Sequence, residues 1–253
     1  MNDAAIPLAL MAALSAAEAL FPFRREAGCQ GRIKVNFVLT VVTFSVNLIL
    51  NAAILSILSV GRSAHFGLLL YVNSGLALAA TIILLDLTAY GAHAAMHRSP
   101  NLWRFHRVHH TDTMVDVTTA FRQHPIEGLF RYGVLGSAGL LLGPDPAAFA
   151  LYRLLSAVNA VFEHANINAP FWLARAMSTV TTWPYFHKIH HSRYPIETDT
   201  NYGNLLSIWD RVFGTITCVS RARFIVYGLE RVEARVAETV VSAFCDPLIR
   251  RPG

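Results

Sequence analysis

The chain has 253 residues, 54% of them hydrophobic and only 15% charged, with a formal net charge of +5. An average soluble domain carries about 25% charged residues. A mean hydropathy of +0.41 and a pI of about 9.4 fit a lipid-facing surface with a positive-inside bias; a nucleic-acid binder is disfavoured, because no basic stripe with interleaved aromatics is present.

Residues 4–22 are apolar apart from Glu18. No basic region precedes them, so a first membrane helix is expected in place of a cleaved signal peptide. Arg24, Arg25, Arg32 and Lys34 follow. Residues 35–60 exceed the roughly 20 residues that a span needs. After a polar break at Gly61 to Ser63, residues 66–92 form a third span, which runs into His-Ala-Ala-Met-His. The loop with four basic residues faces the cytoplasm and the loop with Arg62 faces out, which places the N-terminus outside and the end of the third span inside. Residues 128–142 and 147–163 are shorter apolar helices split by Gly-Pro-Asp-Pro, a strong turn signal. They read as a hairpin that leaves the cytoplasmic side and returns to it, with Arg153 either snorkelling outward or lining an internal cavity. Residues 165–253 read as a cytoplasmic cap closed by an amphipathic helix around 229–245. Cys29, Cys218 and Cys245 are far apart and odd in number; no Cys-x-x-Cys pair exists, and they read as reduced thiols. The expected architecture is an all-α integral membrane bundle of three long spans and a short hairpin, under a histidine-rich cap. It is a single membrane domain over 1–253: N-terminal helices in 1–92, a catalytic region in 93–215 that includes the hairpin 128–163, and a tail in 216–253.

Ten of the eleven histidines lie between positions 93 and 191. His93 and His97 form His-x-x-x-His. His106, His109 and His110 form His-x-x-His-His, and His187, His190 and His191 repeat it. His124 and His164 stand alone. The hairpin brings all ten to the cytoplasmic face. Residues three or four apart on a helix are neighbours about 5–6 Å apart at Cβ, so each set is expected to aim its imidazoles at one point. Neutral imidazole is a ligand for Zn, Cu, Fe and Ni. The clusters supply eight rings, enough for two metals and too many for one, and His164 and His124 could complete the count. A lone histidine on an apolar face is usually a satisfied core residue, but packing this many rings dry would leave several buried polar groups unpaired at about 1–3 kcal/mol each. His65 has no cluster and reads as a loop histidine near the outer interface.

Ligand histidines normally donate their second ring N–H to an acceptor. Asp86, Tyr90, His93 and His97 share one helix face, and an acid within a span is a functional candidate, so Asp86 is expected to orient a ligand. Glu127, Glu163, Glu197 and Asp199 are further acceptor candidates of this kind, each with an ordinary surface or salt-bridged reading beside it.

His-Ala-Ala-Met-His lacks the Glu of a His-Glu-x-x-His protease, and no nucleophile elbow, P-loop, dinucleotide fingerprint, haem site or Fe–S cysteine set is present. An all-imidazole two-metal site beside apolar helices fits redox chemistry on a lipid. Electrons would then come from a separate reductase, ferredoxin or cytochrome docking at the cytoplasmic face.

The stretches "DLTAYGAHAAMHRSPNLWRFHRVHHTDT", "FRQHPIE", "EHANIN", "FHKIHHS" and "ETDTNYGNLLSIWDRVFGT", over about 86–215, resemble the fatty acid hydroxylase superfamily in its bacterial sterol desaturase-like branch. The resemblance implies an integral membrane di-iron enzyme that uses O2 to hydroxylate or desaturate a lipid such as a sterol, hopanoid, fatty acyl chain or ether lipid. It implies His93, His97, His106, His109, His110, His187, His190 and His191 as metal ligands, with His164 and His124 as further ones, and two iron ions as cofactor, with zinc possible in purified samples. The implied setting is a bacterial inner membrane with the site facing the cytoplasm. The chain departs from the family's pattern at Tyr185-Phe186, where many relatives carry a polar residue, and at Asn168, where some place another histidine. Two readings of other classes stand beside this one: a metal transporter or sensor, and a zinc-dependent lipid hydrolase with metal-activated water. Transport predicts ligands spread through the membrane depth.

Overall fold

A computed structural model describes residues 5–25, 30–229 and 237–249. Among them no strand forms; the backbone is helical, with three isolated bridges. Helix α1 (Ala5–Leu20) has 16 residues, too few for the roughly 20 that cross a bilayer. Among the described residues, helices α2 (Arg32–Ser63) and α3 (Ser74–Arg98) are long and apolar enough to cross a membrane. Of the three long spans expected, these are the two that the described residues support. Phe37, Leu48, Ile49 and Val60 of α2 and Leu76 of α3 are each at least 67% exposed; an apolar belt of that extent is what lipid contact requires and what water would not tolerate. The protein is a membrane protein on these grounds.

The third span begins later than its apolar run. Asn73 caps α3 by accepting from the Gly75 N–H at 3.0 Å. Residues 66–72 instead pack on the hairpin tip, where Leu68 and Leu69 donate to the Leu141 and Leu142 carbonyls at 3.1 and 2.8 Å. That contact requires glycine on both sides. Gly67 and Gly143 have φ of 137° and 59°, and a Cβ on Gly67 would fall 2.3 Å from the Gly143 Cα. Helix α3 then continues to Arg98, so His93 and His97 occupy its last two turns.

Helix α4 (Pro100–His110) follows directly and carries the first His-x-x-His-His on its last turn and a half. Helices α5 (Pro125–Leu142) and α6 (Pro146–His164) form the hairpin. They have 18 and 19 residues, longer than their apolar runs, because proline at the first helical position and the caps His124 and Asp145 start each helix early. Leu58, Leu85, Leu135, Phe149 and Tyr152 form the core that joins α2, α3, α5 and α6.

Beyond the hairpin lie α7 (Phe171–Met177), α8 (Pro184–His190), α9 (Pro195–Thr198) and α10 (Ile208–Val212). Tyr185 and Phe186 are buried in the cap core with Ala174, Ile189, Val219 and Ala222. The aromatic pair in front of the second His-x-x-His-His is thus packing, and the Tyr185 hydroxyl donates to the side-chain oxygen of the exposed Asn168 at 3.1 Å. The expected amphipathic helix at 229–245 falls partly on residues 230–236, outside the described residues. Its end is helix α11 (Val240–Cys245), whose Ala243 packs on Val35, Leu39 and Val108. Cys218 and Cys245 are free and exposed; Cys29 lies outside the described residues.

Candidate metal centre

Four elements converge on one region: the end of α3, the end of α4, the last residue of α6, and α8 with the residue after it. They assemble nine histidines into two groups. One holds His93, His97, His106, His110 and His190; the other holds His109, His164, His187 and His191; within each, the ring nitrogens lie within 4.8 Å of one another. The histidines do not divide as their motifs do. In each His-x-x-His-His the first and third rings, one helical turn apart, point to one group and the middle ring points to the other. His106 and His110 join the five-membered group while His109 crosses over. His187 and His191 join the four-membered group while His190 crosses back. The expectation that each motif aims at a single point is corrected by this exchange, which interlocks α4 and α8.

The nitrogens face one another. His93 Nε2 is 3.1 Å from His106 Nε2, and His106 Nε2 is 3.2 Å from His110 Nε2. In the other group His164 Nε2 lies 3.2, 3.1 and 3.2 Å from Nε2 of His109, His191 and His187. A tetrahedron of nitrogens about 2.0–2.1 Å from a central ion has edges of about 3.3 Å. The tautomers make the case stronger. His93, His97, His106, His164 and His190 direct Nδ1 at the Tyr202 carbonyl, Asp199, Glu127, the Ala160 carbonyl and the Thr200 carbonyl, at 2.6–3.1 Å. Each of those acceptors needs a proton from Nδ1, which leaves Nε2 a bare lone pair. Lone pairs at 3.1 Å repel unless a cation lies between them. Nε2 of His97 and His190 are buried with no hydrogen-bond partner at all. Burial, and then the neighbouring rings, hold His106, His109, His110, His187 and His191 well below the ordinary histidine value, and burial takes His190 to about 4. The rings are therefore neutral at physiological pH, the form that binds metal. This donor set fits a pair of transition-metal ions.

His124 lies apart from both groups. Its Nδ1 accepts from the Ile126 N–H as the cap of α5, and its Nε2 is 3.2 Å from the Phe244 carbonyl, so both nitrogens are engaged elsewhere. Asp86 does not touch a histidine. Its carboxylate accepts from Leu205 N, Leu206 N and Trp209 Nε1 at 2.9–3.1 Å and from Asn204 Nδ2 at 3.3 Å, so it fastens the 204–209 turn. The Tyr90 hydroxyl pairs with Thr215 Oγ1 at 2.9 Å. The expected contact from Asp86 to a ligand is corrected: Asp86 and Tyr90 steady the segment whose Tyr202 carbonyl holds His93. Glu197 binds Ser192 Oγ at 2.6 Å and Arg221 Nε at 2.8 Å, securing the turn after His191.

Glu127 and Asp199 do contact ring nitrogens, as given above. Glu163 places Oε1 3.8 Å from His187 Nε2 while Asn159 holds its other oxygen at 3.0 Å. Replacing Glu127 with glutamine exchanges the carboxyl group facing His106 Nδ1 for an amide and is expected to weaken metal retention about 10–100-fold. Competition with a chelator, read by metal analysis, checks this. The three backbone carbonyls that hold His93, His164 and His190 had no sequence signal, because every residue carries one.

The model of the fatty acid hydroxylase family matches residues 78–215, more than half of the chain and all nine converging histidines. The chain belongs to the fatty acid hydroxylase family. Curated relatives agree with that placement. An ornithine lipid hydroxylase from Rhizobium tropici is 29% identical over 67% of this chain and 50% of its own length. An alkylglycerol monooxygenase from Xenopus tropicalis is 30% identical over 59% of this chain and 32% of its own. A very-long-chain aldehyde decarbonylase from Oryza sativa subsp. japonica is 28% identical over 53% of this chain and 52% of its own. This member of the fatty acid hydroxylase family thus spans about half or less of the length of these relatives. No solved structure matches it.

Proposed function

We propose that this protein is a membrane non-haem di-iron oxidoreductase that hydroxylates or desaturates a membrane lipid. The observation that carries the proposal is the pair of buried all-imidazole groups, five and four rings, in which the Nε2 atoms of neighbouring rings face one another at 3.1–3.2 Å. His93, His97, His106, His110 and His190 would hold one ion, and His109, His164, His187 and His191 the other; His124 is left out. Two irons bound there would supply the reduction of O2 and the oxidation of a C–H bond.

The chain's own residues do the rest. The acceptors on Nδ1 of His93, His97, His106, His164 and His190 orient those five rings before any ion arrives. Glu163, beside the ligand nitrogen of His187, is placed to hold a proton next to the four-histidine group. The buried surroundings of α4 and α8 keep bulk water from the centre. Hydroxylation consumes two electrons and two protons per O2, with one oxygen entering the lipid and the other leaving as water. The electrons come from a reductase, ferredoxin or cytochrome. The four basic residues between Arg24 and Lys34 support a cytoplasmic side for the centre, in a bacterial inner membrane. The named relatives support a lipid as substrate.

Metal transport is disfavoured by the convergence of every ring on one level of the bundle. The test is O2 uptake by protein purified from iron-replete cells, with a chemical reductant and a lipid extract. Lipid-dependent O2 consumption with bound iron is expected. Ester or amide cleavage without O2 uptake would favour the zinc hydrolase reading.

A further inference from the structure

A cleft of about 520 Å³ opens on the lipid-facing side between α1, α2 and α6, with Leu8, Phe44, Leu48 and Leu154 among its walls. Its volume is that of a small-molecule site. It is not wholly apolar. Tyr132, Arg153, Asn47 and Phe121 line both this cleft and a narrower extension that runs inward. The extension reaches Gly128 and Ala160. Gly128 adjoins Glu127, which holds His106, and the Ala160 carbonyl holds His164. The inner end of the cleft is thus one residue from a partner of each histidine group.

Arg153 stands where outer and inner parts meet. Its Nη2 is 2.7 Å from the Tyr132 hydroxyl, and its guanidinium sits over the Tyr132 ring at 4.3 Å. Neither contact supplies a negative charge. Its Nε is buried with no hydrogen-bond partner, as is the side-chain oxygen of Asn51 on the opposite wall. Among the described residues no carboxylate lines either part of the cleft. The other arginine here, Arg131, is answered by Glu127 at 3.7 Å; Arg153 has no such acid among the described residues. A guanidinium has a planar fork suited to two oxygens of one anionic group, and an unmatched one at membrane depth is costly unless something answers it.

We propose that this cleft admits the lipid substrate and that Arg153, held in place by Tyr132, binds an anionic oxygen group of that lipid, a carboxylate or a phosphate. The inference rests on the reading of the protein as a lipid oxidoreductase and narrows its substrate class to acidic lipids. Arg153 and His164 are eleven residues apart on α6, about 16 Å at 1.5 Å per residue, so the oxidised carbon is remote from the acidic group.

The test uses the full chain in nanodiscs of neutral lipid, without reductant, and reads binding of radiolabelled palmitate, methyl palmitate and hexadecyl phosphate. The wild type is expected to bind palmitate or hexadecyl phosphate at least ~10-fold more tightly than the uncharged ester, the usual size of a charge-assisted hydrogen bond. Which acid is preferred identifies the group. Arg153→Met is expected to abolish the preference while leaving methyl palmitate binding and metal content unchanged; Arg153→Lys should keep part of it. If Arg153→Met loses its metal and so its fold, Tyr132→Phe decides, with a reduced preference expected. An acid preference that survives these changes, or none in the wild type, overturns the proposal. Because no turnover is involved, an acid subsite without O2 uptake would count against oxidation alone, and O2 uptake without acid preference against the subsite alone.

Discussion

Replacing His109 with alanine is expected to abolish lipid oxidation and to reduce bound metal from two ions per chain to one. His109 is one of only four rings in its group, and its Nε2 lies 3.2 Å from that of His164. Three imidazoles would remain, with the lone pair of a buried neighbour left unanswered. The crossed arrangement makes a sharper forecast than the loss itself. Changing His109 together with His187, on different motifs but in one group, should still leave one ion. Changing His109 together with His106 and His110, the whole first motif, leaves three rings in each group and should leave none. If each motif served its own ion, these two variants would exchange outcomes. Metal analysis of the purified proteins distinguishes the cases, and His124→Ala should retain both ions.

The second large effect is one of stability. Asp112, two residues after His110, is fully buried and accepts from five groups. Arg32 Nε and Nη2 approach at 2.7 and 3.0 Å, Asn36 Nδ2 at 2.8 Å, Thr119 Oγ1 at 2.7 Å and the Met114 N–H at 3.3 Å. Arg122, also fully buried, closes the network through Asn36 at 2.6 Å and the Val108 carbonyl at 2.9 Å. The network ties the end of α4 to the start of α2. Asp112→Ala would leave the buried Arg32 guanidinium with Asp116, at 2.8 Å, as its remaining counter-charge, and is expected to cost about 3 kcal/mol, a fall in the melting midpoint on the order of 10 °C. Thermal unfolding in detergent reads it, and a shift below about 2 °C would remove the network from the account. The pH dependence has a definite sign. Burial pushes the Asp112 carboxyl up, but the Arg32 guanidinium beside it overrides this and holds it below the ordinary 3.8. The stabilisation is therefore fully present above the ordinary carboxylate value and is lost as pH falls through the depressed one. Asp112→Asn should flatten that acid limb and leave the neutral range least stable relative to wild type.

The sequence carried the histidine motifs in full view, yet their division between two groups was not legible. Spacing of three and four residues states that rings are neighbours; it does not state on which side of a helix the companion lies. His164, alone in the chain, enters the four-histidine group because the hairpin returns it to α8. His124, equally alone, does not, because His-Pro-x-Glu starts a helix: proline at the first position, the histidine as cap and Glu127 two residues beyond the proline. The capping signal and the ligand signal coincide in type there, and only tertiary contacts separate them.

Asp86 shows a similar limit. Helical arithmetic puts it on the face of His93, but seven residues are about 10 Å along the axis, beyond reach of the ring. Its true partners, residues 204–209, are more than a hundred positions away in the chain. The early start assigned to the third span has a simple cause: residues 66–72 are apolar enough to cross a membrane, but they are spent on the hairpin tip, where Gly67 meets Gly143. The network around Asp112 was invisible because Arg32 reads as one charge among the four of a basic loop.

The most direct measurement is the iron stoichiometry and iron-edge X-ray absorption of the full chain, purified without oxygen from iron-replete cells. Two iron ions per chain are predicted, with four to five imidazole nitrogens each and no sulfur. A single ion per chain, or a first shell with fewer than four imidazoles on average, would contradict the assignment of nine rings to two ions.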